Sequence, residues 1–217
     1  MDTSPVSRWA PLTGVLAPVL WFVGVTVSES GDVPTEESTA EDILTFFQED
    51  TTSILLGSIL FMLGTVVFLL FLSVLRGRWR GAGASEDAAG LGFVAGVVGA
   101  AFMAAIWAPQ LGLAVAIEDM GVQVEPATAE TAWHIGTGFF VIGELLLAVF
   151  LFATAFLIQR TPVLPKWLGW IAIVIGVVAL VPPIGWAAII FGLPVWLLVT
   201  SVVMLVSRPA PPPAPSG

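Results

Sequence analysis

The chain is organised as long apolar runs separated by short polar segments. Residues 10–28, 52–75 and 89–117 carry no charge, and 132–159 carries only Glu144. From 167 to 206 the chain is again free of charge, interrupted by Pro182 and Pro183. A helix needs about 20 mostly apolar residues to cross a hydrocarbon layer of about 30 Å. The runs therefore predict an all-α, polytopic transmembrane bundle of six helices over 10–28, 52–75, 89–117, 132–159, 167–181 and 186–206. A prolyl turn joins the last two. Segment 167–181 is short for a full crossing. The alternating ten-residue segments of a membrane β-barrel are absent. The first run is longer than the apolar core of a signal peptide, and no small-x-small cleavage site follows it, so it reads as a retained helix.

The largest polar loop is 29–51. Within it, 39–49 reads as a short amphipathic helix. Thr39 suits the N-cap, Glu41 and Asp42 fall in the first turn where the helix dipole favours acids, and Ile43, Leu44, Phe46 and Phe47 make one apolar face. Such a helix lies at the outer interface or caps the bundle; an acidic docking surface is the sharper alternative. Its carboxylates lack the spacing of a calcium loop. The chain ends in a Pro-rich tail, 208–217, expected to be extended and cytoplasmic.

Charge orients the bundle. With six spans, all seven basic residues share one side: Arg8, Arg76, Arg78, Arg80, Arg160, Lys166 and Arg208. Short loops rich in Lys and Arg stay cytoplasmic, so both termini are expected inside a multi-pass protein of the cell membrane. Twelve of the sixteen acids fall on the opposite side, and Glu144 lies between.

Composition agrees. Hydrophobic residues make up 57% and charged residues 11%, against about 25% charged in soluble domains. A soluble core cannot hide that much apolar surface. With no Cys there are no disulfides or thiolate metal sites, and a single His excludes paired-His haem ligation and HExxH zinc chemistry. A net charge of −9 excludes a nucleic-acid partner.

Glu144 is the first candidate functional residue. An ionised carboxylate at mid-membrane costs roughly 2.5–3.5 kcal/mol, so it should face other helices. It is a protonated carboxyl sharing an interhelical hydrogen bond, the coupling group of a proton- or cation-linked transporter, or a substrate contact. A shift of 79 positions superimposes Gly57 on Gly136, Gly64 on Gly143 and Thr65 on Glu144, which suggests duplicated two-helix hairpins and makes Thr65 a second candidate. His134 lies about 15 Å along the helix from Glu144, too far to touch it; it reads as an interfacial hydrogen-bonding residue, with a pH sensor or a metal contact as the alternatives.

Gly57, Gly64, Gly92, Gly96, Gly136 and Gly143 form small faces that let helices approach closely in lipid. Pro18, Pro109 and Pro194 mark kinks, which point weakly to a cavity. Trp9, Trp79, Trp133, Trp167, Trp170 and Trp186 read as interfacial belt residues, and Trp21, Trp107 and Trp196 as deeper packing residues. Arg76, Arg78 and Arg80 form an inner basic cluster suited to anionic headgroups.

Together, TAEDILTFF at 39–47, LLGSILFMLG at 55–64, LPKWLGW at 164–170 and PVWLLVTSVV at 194–203 resemble an uncharacterised family of bacterial, actinobacterial-type membrane proteins of unknown function. The resemblance implies a six-span plan and a bacterial inner membrane, and no active-site residues. No catalytic motif or cofactor site stands out, so the chain is expected to be non-enzymatic and without cofactor. The leading expectation is an envelope scaffold, accessory or sensor protein, partnered by the bilayer, by itself or by another membrane protein. A small transporter using Glu144 is the alternative.

Overall fold

A computed structural model describes residues 9–35, 37–181 and 183–206. Asp2, Arg8, Glu36, Pro182, Arg208 and the tail 208–217 lie outside the described residues. Every regular element within them is helical. A single 3₁₀ turn, Ala10–Leu12, leads into α1, Thr13–Ser28. There follow α2 (Ala40–Glu49), α3 (Thr51–Gly81), α4 (Glu86–Ala105), α5 (Trp107–Glu118), α6 (Pro126–Arg160) and α7 (Lys166–Ala179). The chain closes with α8 (Gly185–Ala187), a π-helical stretch Ala188–Gly192 and α9 (Leu193–Val206).

Among the described residues, five segments are long and apolar enough to cross a membrane: Ala10–Ser28, Thr51–Gly81, Glu86–Glu118, Pro126–Arg160 and Gly185–Val206. The sixth expected crossing is α7, whose 14 residues rise only about 21 Å. Outward faces are apolar, as Leu56, Leu63 and Leu70 on α3 illustrate. An apolar stripe of that length suits lipid and not water.

The boundaries follow from local chemistry. Thr39 Oγ1 accepts the Asp42 N–H at 3.3 Å while the Asp42 carboxylate accepts the Thr39 N–H at 2.8 Å, a reciprocal cap that starts α2. The third expected span is broken at Ile106. Pro109 has no N–H and its ring crowds the carbonyl four residues back, at Ala105, where α4 stops. Pro194 does the same to Ile190, and the chain answers with the wider π turn Ala188–Gly192. Pro18 leaves α1 a single helix. Helices α3 and α6 run past the apolar limits at 52–75 and 132–159: Arg76, Arg78 and Arg80 extend α3 despite Gly77, and Ala127, Ala129 and Glu130 extend α6 behind Pro126 at its first position.

Two glycine seams organise the bundle. A Cβ added to Gly24 of α1 would lie 2.8 Å from the Gly57 carbonyl of α3, and one on Gly64 would lie 3.0 Å from the Ala17 carbonyl. In the second seam, a Cβ on Gly143 of α6 would sit 3.2 Å from the Gly99 carbonyl of α4, and one on Gly136 would sit 3.0 Å from the Ile106 carbonyl. Glycines related by the 79-residue shift thus seat each long helix against the apolar helix before it. Gly92 and Gly96 extend the second seam toward Ala153 and Phe150.

The main core gathers Phe68, Phe71, Leu72, Phe150, Leu151 and Trp196. A smaller one at the acidic end joins Ile43, Phe46 and Phe47 of α2 to Ile54, Leu113 and Ala129, so α2 caps the ends of α3, α5 and α6. At the basic end, Arg78 donates to the Met204 carbonyl at 3.2 Å, capping the C-terminal turn of α9. Arg76 and Arg80 share one oxygen of Glu86, at 3.8 and 3.4 Å. Trp79 is a correction to the belt assignment: it is 1% exposed, inside the main core. The reason is that α3 continues to Gly81 and so carries Trp79 into the same packed layer as Leu157 and Leu164.

Candidate functional site

A lateral crevice separates α1 from the π-helical stretch and the start of α9. At its closed, basic-end limit, Gly14 brings α1 against Ser201 and the Phe71 ring. Above that contact the helices part, leaving a cavity of about 530 Å³ walled by Pro18, Trp21, Phe68, Leu147, Ile189 and Pro194. A second lobe of about 240 Å³ continues toward the acidic end, past Trp107, Gln110, Trp133 and Phe140. Val25, Glu29, Phe61, Met103 and Ile190 line both, so the two lobes adjoin. The larger lobe alone falls within the usual range of small-molecule sites, about 300–1,000 Å³.

The mouth faces sideways. Phe22, Thr26 and Glu29 on one lip and Trp186, Ile190 and Phe191 on the other are exposed. The interior is aromatic. Trp21 lies 6.0 Å from Phe61 and 5.1 Å from Phe68, ring centre to ring centre. Trp21 is fixed by donating its indole N–H to Thr65 Oγ1 at 3.2 Å, and Thr65 in turn donates to the Phe61 carbonyl at 3.2 Å.

Glu29 is the one charged side chain among the described lining residues. It terminates α1, where exposed carbonyls offer an anion no compensation. No Lys or Arg forms an ion pair with it among the described residues. Partial burial raises its carboxyl above the ordinary value.

The sequence-derived candidates do not converge. Thr65 belongs to the α1–α3 seam. His134 is an exposed residue of α6 with Nε2 4.0 Å from Glu130. Glu144 is 8% exposed, and its Oε1 is buried without a hydrogen-bond partner. That oxygen lies against Gly185, and the Ala179 carbonyl is the next neighbour of Gly185, 2.6 Å from the position a Cβ would take. Thr137, Phe140 and Leu147 on the same stripe of α6 line the crevice, whereas Glu144 meets the α7–α8 turn. It stands about 24 Å along α6 from Arg160, level with the end of the short α7.

Pro18 and Pro194, marked in the sequence as kink sites, both line the crevice, as do Trp21 and Trp107. Glu29 and Gln110 also line it, and the sequence marks neither beyond Glu29 being the first acid after the first apolar run. Among the described residues no cluster of three His, Cys, Asp or Glu could hold a metal. No protein-family model matches the chain, and neither a curated protein nor a solved structure matches it. What the fold and crevice define, among the described residues, is an all-helical protein with five helices long and apolar enough to span a membrane and an apolar cavity that opens sideways.

Proposed function

We propose that this is a six-span protein of a bacterial inner membrane, both termini cytoplasmic, acting without covalent chemistry as a binding or sensing component of the envelope. Its ligand is an apolar guest drawn from the bilayer into the crevice between α1 and the last helix. The observation that carries this reading is a roomy aromatic cavity opening sideways at Phe22, Trp186 and Phe191. The candidate polar residues Glu144, His134 and Thr65 lie apart and assemble no catalytic group. The seven-to-zero placement of basic residues supports the orientation. Anionic headgroups remain a partner of the basic end, although Arg78 is engaged with Met204 and Arg76 and Arg80 with Glu86. A transporter using Glu144 would need a polar path to that carboxyl, and the described cavity passes it by, so this alternative has less support.

Native mass spectrometry of the purified protein tests the reading. Wild type is expected to retain one lipid through mild delipidation. Ile190→Trp, which adds bulk at an exposed position lining both lobes, is expected to release it while keeping the thermal unfolding of the fold. Equal retention by both would contradict the reading.

A further inference from the structure

The crevice combines an apolar, aromatic interior with a single carboxylate at its acidic-end rim. From this juxtaposition we infer that the guest is a cationic amphiphile: an amine or quaternary ammonium head held at Glu29, with a hydrocarbon body lying between α1 and α9. The inference rests on the cavity reading above and specifies its ligand.

Three features point the same way. First, Glu29 lacks a basic partner among the described residues, and no Lys or Arg lines either lobe. A carboxylate at a helix C-terminus beside apolar walls is stabilised by a cation and destabilised by a second anion. Second, the rim carries aromatic rings as well as the carboxylate. Trp186 and Phe191 stand on the lip opposite Glu29, 6.3 Å apart, and ring faces attract organic cations more strongly as water is excluded. Third, the dimensions suit an elongated molecule. From Glu29 at the rim to Pro18 near the closed end is about 16 Å along α1. An anionic headgroup would meet Glu29 unpaired; a neutral one would leave it so.

The proposal concerns recognition alone and involves no bond making. It is tested by binding radiolabelled dodecyltrimethylammonium to the full-length protein in maltoside micelles, with dodecanol of equal chain length as the uncharged competitor. Wild type should bind the cation saturably and prefer it over dodecanol by about tenfold, the equivalent of about 1.4 kcal/mol. Glu29→Gln should abolish that preference while dodecanol still binds. Glu37→Gln, an outer-loop acid that does not line the crevice, should keep it. Equal affinity for the two probes in wild type, or a preference that survives Glu29→Gln, overturns the cation assignment and leaves the apolar cavity standing. Loss of the preference in Glu37→Gln as well would assign it to the general acidity of the loop and likewise overturn the role of Glu29. If neither probe binds saturably, the cavity reading itself falls.

Discussion

The Glu144 carboxyl packs directly against Gly185, at the turn that ends α7 and begins the last helix. Only a residue without a Cβ leaves room, because the same position also faces the Ala179 carbonyl at 2.6 Å. Gly185→Ala should therefore destabilise the protein by about 1–3 kcal/mol, as overpacking does. Glu144→Gln, which keeps the shape and removes the acid, should leave the fold intact. Thermal unfolding of the purified protein reads both; a Glu144→Gln variant as unstable as Gly185→Ala would mean the acid itself is needed.

The glycine seams make a second contrast. A Cβ on Gly57 would meet the Gly24 carbonyl at 2.5 Å, whereas one on Gly138 meets nothing within 4 Å. Gly57→Ala should lower the unfolding temperature by forcing α1 and α3 apart. Gly138→Ala should be neutral or raise stability by up to about 1 kcal/mol, since it removes only unfolded-chain freedom. Equal effects at both positions would deny the seam.

The cap of α2 is pH-dependent. Hydrogen bonds from the Thr39 backbone and side chain lower the Asp42 carboxyl below its ordinary value. A lowered carboxylate contributes stability that is present above its unfolded value, about 3.9, and is lost as pH falls through the folded one. Protection of the α2 amides from hydrogen exchange, taken relative to the intrinsic rate at each pH, should fall below that range in wild type. In Asp42→Ala the amides should be fast already at neutral pH. Identical profiles for the two proteins would remove the cap from the account of α2.

Orientation has a direct readout because the chain contains no Cys. Glu37→Cys and Met120→Cys should react with a membrane-impermeant maleimide in intact cells, and Asp87→Cys only after permeabilisation. The reverse pattern would invert the bundle.

The helices were legible because charge-free runs leave a membrane chain few alternatives: each backbone must satisfy its own hydrogen bonds. Their ends were less so, since helix continues beyond the apolar window, as at Trp79 and Gly81. The crevice was only hinted at. Pro18, Pro194, Trp21 and Trp107 stood out singly, but a cavity depends on where α1 and α9 diverge, and periodicity along one helix carries no such information. Glu144 shows the same limit. The sequence places it midway along an apolar run; that its carboxyl packs on the α7–α8 turn follows from the shortness of α7, which no pattern around Glu144 announces. The bond from Arg78 to Met204 joins residues far apart in the chain, and nothing near Arg78 announces it.

Photo-crosslinking with a diazirine-bearing acyl chain in vesicles, mapped by peptide mass spectrometry, tests the lateral cavity most directly. A guest inside the crevice should label Trp21 and Phe61, which line its interior, together with Phe22 and Phe191 at the mouth. Labelling confined to outward residues such as Leu56, Leu63 and Leu70, with none on Trp21 or Phe61, would contradict it.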